Sequence, residues 1–378
     1  MIDLSSYRKE FPHTESCVYL NHASRSPMSN RSLEAMSRFL KKSATTGQEI
    51  DEEAFLALAR TRSLLADLLR CSESEIALLP NTGIGINVAA HGIDLRKGEN
   101  VVLPINEFPS NYYPWAALRR KGVEIKFAQL QKGCVTPETI ESAIDSQTRV
   151  VSLSGVDYSR GYRPDLSGIS DLCRRSRVAL VVDGMQVIGV MDFSPRDYGI
   201  DLLACGGGKW LMGPQGAGFA YISEEAQNWL KPAFMTWLSF RSSFDFDNLL
   251  TRRFDPFPGA RKFELGTYAY ADYFGLMESL GLISAIGISE IWNTARYVSG
   301  LLLDFLKTSS YEILSPTDNS RRSPIVAFTC ADVDVLYDDL RKKNFVISKR
   351  EGAIRVSCHF YNTEDEIQSL IDLLRQAE

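Results

Sequence analysis

The chain predicts an α/β fold: a large unit built on a mostly parallel sheet sandwiched by helices, and a smaller α+β unit at the C-terminal end. Two observations carry this expectation. Short apolar runs at 76–79, 101–103, 150–153 and 178–183 alternate with helix-length segments. Runs of that length, bounded by Gly and Pro, suit strands buried on both faces of a parallel sheet. After residue 222 the pattern changes: an irregular Phe- and Arg-rich stretch over 239–262 leads to long helices with isolated strands between them. The expected units are residues 15–250 for the large one, and 1–14 with 251–378 for the small one.

The elements follow in order. Tyr19-Leu20 reads as a short strand and 21–27 as a turn. Residues 31–70 carry helical spacing, with Ala54, Leu58, Leu64, Leu65, Leu68 and Leu69 as a core-facing stripe. The strand at 76–79 runs through Pro80-Asn81-Thr82-Gly83 into a helix of small and apolar residues ending near Gly92. After the strand at 101–103 comes an aromatic-rich loop, 106–115. Strands at 123–127 and 150–153 flank a helix at 137–144, and the loop 154–161 leaves the sheet on the same side as Asp183. Helices at 270–283 and 288–306 precede strands at 325–329 and 354–357, with a helix at 332–343 between them. The last helix starts near Thr363, where Thr363-Glu364-Asp365-Glu366 has the capping-box form.

Composition narrows the function classes. The hydrophobic fraction of 44% and charged fraction of 24% are those of a soluble globular chain, and 378 residues suffice for a large core. A net charge of −5 with both signs scattered leaves no footprint for nucleic acid or an anionic membrane. The seven cysteines are widely spaced and form no CxxC pair, which suits reduced thiols better than disulfides or zinc. With only four histidines, no metal site is expected. The opening MIDLSSYRKEFP has neither a basic nor an apolar leader region, and no apolar run reaches the length of a membrane span. The expectation is a cytoplasmic protein with no membrane or nucleic-acid partner.

The chemistry concentrates in 178–222. One apolar strand ends in Asp183, and Gly206-Gly207-Gly208-Lys209 follows another. Asp183 thus falls at the carboxyl end of a strand, where open α/β sheets bind ligands. One chemistry needs this pair. Pyridoxal phosphate is held by a lysine as a Schiff base, and a carboxylate keeps its pyridine nitrogen protonated, which makes the ring an electron sink. Lys209 and Asp183 are the candidates for these roles, and Gln186 for a donor to the ring's 3-oxygen. The glycines before Lys209 are expected to let the cofactor lie against backbone. Thr82 and Gly83, opening a helix, offer free N–H groups, a hydroxyl and the positive end of the helix dipole to the phosphate. Phe108 is the candidate flat group for stacking on the ring. Singly, each has a plainer reading: a helix cap for Asp183 or Thr82, a loop residue for Lys209, core for Phe108.

DGMQ followed by GGKWLMGPQGAGF resembles the lysine region of the class V aminotransferase-like, fold-type I pyridoxal phosphate enzymes. The likeness is to the branch holding isopenicillin N epimerase-like proteins, cysteine desulfurases and kynureninases. It implies the fold-type I architecture with a seven-stranded sheet. It also implies that Tyr158 lies near the 3-oxygen and the substrate, and that Asn21, His22 and Ala23 border the entrance. Arg355 opens an R-x-S…YN-T pattern whose arginine holds the substrate α-carboxylate in this family, a planar task that suits a guanidinium. The FE-x-GT pattern at 263–267 implies that Thr267, and with it Trp237, reaches the phosphate in the neighbouring subunit. An obligate homodimer with shared active sites follows from that role.

The resemblance does not select a reaction. The main expectation is a class V transferase acting on an α-amino acid, with Lys209 as general base at Cα and Asp183 and Arg355 as its partners. A C–S or C–Se lyase, an amino-acid epimerase and a non-catalytic binding protein stay open. A persulfide-forming desulfurase is disfavoured. FVISKREGAI at 345–354, just before Arg355, contains no cysteine, and Phe108 stands where desulfurases carry histidine. The glycine clusters lack P-loop or dinucleotide spacing. Side-chain selectivity is expected from Tyr112, Tyr113, Tyr158 and residues 237–260.

Overall fold

The computed structural model describes residues 4–47 and 51–378. A short helix α1 (Ser5–Arg8) and a two-residue strand β1 (Val18–Tyr19) precede two long helices, α2 (Asn30–Thr46) and α3 (Asp51–Leu69). The alternation then begins: β2 (Ile76–Leu79), α4 (Thr82–Gly92), β3 (Asn100–Pro104), α5 (Pro109–Ala116), β4 (Glu124–Ala128), α6 (Pro137–Glu141), β5 (Thr148–Ser154), α7 (Leu166–Ser176) and β6 (Ala179–Asp183). β7 (Leu202–Gly206), β8 (Gly218–Ile222) and α8 (Ala226–Trp229) complete it. The sheet has seven strands in the order β2-β8-β7-β6-β5-β3-β4. β7, β6, β5, β3 and β4 are parallel, β8 runs against β7, and β2 runs against β8. This is the expected mostly parallel architecture.

The unbroken apolar runs have a simple cause. Side chains alternate across a strand, and here both faces are covered. In β6, Leu180 and Val182 join the apolar cluster on one side of the sheet, with residues of α3 and α7. Val181 joins the cluster on the other side, with Ile86 and Ala89 of α4 and Trp115 of α5. Gly85 lets α4 approach closely: a Cβ there would lie 2.5 Å from the Ala204 Cβ of β7.

The C-terminal part contains α9 (Tyr270–Ile286), α10 (Ile288–Leu306), β9 (Glu312–Ile313), β10 (Ile325–Thr329), α11 (Val333–Lys342), β11 (Phe345–Val346), β12 (Ser348–Arg350), β13 (Ala353–Ser357) and α12 (Glu364–Gln376). Four of its strands form an antiparallel sheet, β12-β13-β10-β9. α12 begins with the expected capping box between Thr363 and Glu366. The packing argues for a later boundary than residue 250. Leu276, Leu280 and Ile283 of α9 belong to the apolar cluster of the large sheet. Val298, Leu302 and Leu306 of α10 belong to that of the small one. The chain bends by 82° between the two helices, at Gly287, whose φ of +88° favours glycine. The irregular 239–262 stretch reads as a linker by composition, but α9 beyond it is apolar all round and is buried in the large unit. β1 pairs in parallel with β11, so the N-terminal segment that joins the small unit extends past residue 14. Among the described residues no single helix is long and apolar enough to cross a membrane.

Candidate active site

Strands β2, β3, β5, β6 and β7 run the same way, and the loops leaving their carboxyl ends meet at one edge of the sheet. β2 leads to Asn81, Thr82 and Gly83, β3 to Phe108, and β5 to Ser154 and Tyr158. β6 supplies Asp183, Met185 and Gln186, and β7 supplies Lys209. From the opposite side come Ala23 and Ser24, after β1, with Arg350 of β12 and Arg355 of β13. Together they line a cavity of about 280 Å³.

The Lys209 amine is the unusual group. Among the described residues its Nζ has no hydrogen bond and no ion pair; it lies 5.5 Å from the centroid of the Phe108 ring. Burial pushes this amine down to about 8, while the Asp183 charge opposes the fall. Asp183 is itself buried, with Oδ1 accepting from the Met185 N–H at 2.8 Å. Burial pushes its carboxyl up to about 6, against that hydrogen bond and the charge of Lys209.

The start of α4 has the features of an anion site. The Asn81 side chain caps the Ile84 N–H at 3.0 Å, and the Asn81 carbonyl takes the Gly85 N–H at 3.2 Å. The Thr82 and Gly83 N–H groups have no partner among the described residues. The Thr82 hydroxyl accepts from the Gly206 N–H at 3.1 Å and so keeps its own hydrogen for a ligand. That contact also ties the start of α4 to the end of β7.

Glu107 was not foreseen, although it adjoins Phe108 in the sequence. It accepts from the Phe108 N–H at 2.8 Å, from the Ser154 N–H at 2.7 Å and from the Ser154 hydroxyl. It therefore fastens the loop that carries Phe108 to the end of β5. Burial, followed by the nearby Asp183 charge, pushes its carboxyl from 4.5 up to about 7. The folded chain then keeps a proton that the unfolded chain releases, so this group loses stability for the parent as pH rises from 4.5 through 7. A Glu107→Gln variant lacks the titration. Its stability relative to the parent should improve by about 2–3 kcal/mol across that window. Urea unfolding at both ends of the window measures this, and a difference independent of pH would contradict it.

Of the residues expected from sequence, Ala23, Thr82, Gly83, Phe108, Tyr158, Asp183, Gln186, Lys209 and Arg355 line the cavity. Gln186 is partly committed: its amide oxygen accepts from the Trp210 indole at 2.6 Å and its nitrogen donates to the Ala23 carbonyl at 2.9 Å. One amide hydrogen remains for a ligand. Arg355 is 2% exposed and has no carboxylate partner among the described residues. Its Nε donates to Ser348 Oγ at 3.1 Å, Nη1 to the Tyr158 carbonyl and Nη2 to Ser24 Oγ. A buried, unpaired guanidinium costs several kcal/mol, which an incoming carboxylate offsets.

Four expected residues lie elsewhere. His22 is fully buried behind the site, its ring nitrogens 3.0 Å from the Ser357 carbonyl and 2.5 Å from the Tyr361 hydroxyl. Both nitrogens are thus committed to the core rather than to a substrate. Asn21 bridges to Ser357 and does not reach the cavity either. Trp237 and Thr267 are exposed and do not line the cavity of their own chain. The glycines before Lys209 also meet the chain itself. A Cβ on Gly207 would lie 2.7 Å from the Ala217 carbonyl, and one on Gly208 would lie 3.0 Å from Gln215 Cγ. Packing of the chain against itself already requires these two glycines. The cavity also includes Ser24, Asn81, Ser110, Ser154, Met185 and Arg350, none of which the sequence singled out as a site residue.

The residues fit pyridoxal phosphate on the structure's own terms: an unpartnered buried amine, a buried carboxylate, uncapped helix N–H groups and an aromatic wall share one cavity. The comparisons agree. Residues 18–370 match the family described as Aminotransferase class-V. A protein named probable cysteine desulfurase from Methanothermobacter thermautotrophicus is 30% identical, over 98% of this chain and 96% of its own length. An isopenicillin N epimerase from Amycolatopsis lactamdurans is 25% identical, over 83% of each chain. The solved structure of a C-DES mutant with glycine covalently linked to its PLP cofactor superposes with a TM-score of 0.90. It is 22% identical and covers 97% of this chain and 98% of its own. With a family match across nearly its whole length and the Lys209 and Asp183 strand ends meeting in one cavity, the chain belongs to the class-V aminotransferase family.

Proposed function

We propose that this protein is a pyridoxal phosphate-dependent enzyme that takes an α-amino acid and removes the proton at its Cα. Loss of a β-substituent is the favoured outcome, and transamination is the second reading. The observation that carries the proposal is the unpartnered Lys209 amine in one cavity with Asp183 and Arg355. When bound, the cofactor supplies a sink for the electrons left on Cα. The Thr82 and Gly83 N–H groups, with the Thr82 hydroxyl, hold its phosphate. Asp183 holds positive charge on the ring nitrogen, and Phe108 shields the ring from water. Arg355 orients the amino acid through its α-carboxylate. Lys209, with its basicity lowered toward neutrality, accepts the Cα proton.

Two observations support elimination. The relative at 30% identity is named a probable cysteine desulfurase. Epimerisation calls for a second acid in the cavity, and Tyr158, the acid that lines it beside the Phe108 ring, is poorly suited to that task. Its hydroxyl donates to Glu351 at 3.1 Å, and burial pushes it up to about 12. No cysteine lines the cavity among the described residues, so any sulfur released passes to solvent rather than to a cavity thiol. Incubating the purified enzyme with a panel of amino acids tests the proposal. Pyruvate with ammonia or sulfide supports elimination, and dependence on an oxo acid supports transamination. Formation of D-amino acid alone would overturn both.

The proposal extends to a homodimer. Phe246, Leu250 and Phe254 are 72%, 85% and 78% exposed in the stretch that follows Trp237. Apolar groups so exposed suit burial by a second copy, with Trp237 and Thr267 then serving the partner's cavity. A monomer mass by light scattering would remove this part of the proposal.

A further inference from the structure

Resting on the proposed action on an α-amino acid, we infer that Arg350 receives a second anionic group, so the amino acid accepted carries an acid at the end of its side chain. Arg350 and Arg355 lie on adjacent antiparallel strands, where Ser348 pairs with Arg355 and Arg350 with Ala353. The two side chains enter the cavity at different depths: Arg355 is buried at its base, Arg350 exposed at its mouth.

Their placement leaves two guanidinium groups on one cavity with no anion between them. The Nη2 atoms of both arginines donate to one hydroxyl, Ser24 Oγ, that of Arg350 at 3.2 Å. Two like charges thus share a neutral acceptor. Neither forms an ion pair among the described residues. The adjacent acid, Glu351, accepts from the Tyr158 hydroxyl at 3.1 Å, and Arg350 Nη1 donates to the Lys349 carbonyl at 2.8 Å. The positive charge of Arg350 lowers the proton affinity of both Arg355 and Lys209, as expected of an uncompensated cation in a common cavity.

One carboxylate does not need both groups. Arg355 commits three of its five N–H donors to Ser348, Tyr158 and Ser24, which leaves two for a bidentate carboxylate. Arg350 is surplus to that task. An extended carboxylate or sulfinate on the side chain, reaching toward the mouth of the cavity, is the chemistry that compensates it.

Titration of the holoenzyme with single amino acids, read from its visible band, tests this. Aspartate, glutamate and cysteine sulfinate are compared with alanine, serine and cysteine. The parent is expected to bind at least one acid about tenfold or more tightly than any neutral amino acid. Arg350→Gln should weaken that acid by roughly tenfold to a hundredfold and leave the neutral set within about threefold, with Arg350→Lys between. In the cofactor-free chain the same acid, and not alanine, should raise the unfolding temperature, and Arg350→Gln should abolish that rise. Equal or tighter binding of neutral side chains by the parent overturns the inference, as does an equal loss for both sets in Arg350→Gln. A band that responds to neutral amino acids alone sinks this inference and spares the proposed function. Absence of any cofactor band sinks the proposed function, and the unfolding temperatures then decide the arginine site.

Discussion

Lys209→Ala is expected to lower turnover about 10⁴-fold or more and to abolish a visible band reducible by borohydride. The size follows from what the amine does alone. Among the described residues no second amine lines the cavity. The amine starts from an ordinary value of 10.5 and is pushed to about 8, which is where a base is both free and effective near neutral pH. Stability is a separate matter. The amine makes no hydrogen bond or ion pair, so its removal relieves a desolvated group and strands no hydrogen-bond partner, and the Asp183 carboxyl loses only the longer-range charge of Lys209 and takes up a proton more readily. The variant should therefore unfold at or above the parent midpoint, and loss of activity cannot be ascribed to loss of fold. A variant that kept a lysine-bound chromophore, or that turned over within tenfold of the parent, would remove Lys209 from the reaction.

The parts of this site that were legible in the sequence share a property: their signal is local. Asp183 closes an apolar run, Lys209 follows another, and Thr82-Gly83 opens a helix, so residue type and position along one element suffice. What stayed hidden depends on pairings between distant segments. Ser24 and Arg350 meet because β1 joins β11, over three hundred residues away, and because β12 folds back on β13. His22 reads as an entrance residue because the family resemblance places the turn that carries it at the border of the site. Its partners, Ser357 and Tyr361, come from the far end of the chain and draw it into the core. The stretch 345–354 was informative for the cysteine it lacks, and its arginine went unnoticed because one guanidinium in a charged run is usually a solvated group. The helix α9 shows the same limit from the packing side. An apolar helix declares that it is buried without saying against what.

Asp183→Asn is expected to reduce turnover by about 10²–10³-fold with the fold intact, because the exchange removes charge and almost nothing else. Asparagine keeps the shape and an oxygen to accept the Met185 N–H at Oδ1, so the turn after β6 retains its hydrogen bond. What goes is the anion that offsets positive charge on the ring nitrogen and on Lys209. The second effect has a sign that can be read without turnover. In the parent the Asp183 anion raises the proton affinity of the amine against the burial that lowers it. Without that anion, the amine should fall below about 8, and in the cofactor-free chain its pH profile for acylation should move to lower pH. Asp183 also sets an acid limit. Its carboxyl, raised to about 6, becomes protonated as pH falls through that value, so the parent should lose cofactor affinity there while the asparagine variant shows a lower, flat affinity. Turnover within threefold of the parent, or an acylation profile unmoved by the exchange, would mean that the two groups are not electrostatically joined. The residue at the end of β6 would then be a turn residue, and the cavity would hold no anion to keep its nitrogen site cationic or to oppose the burial that lowers Lys209.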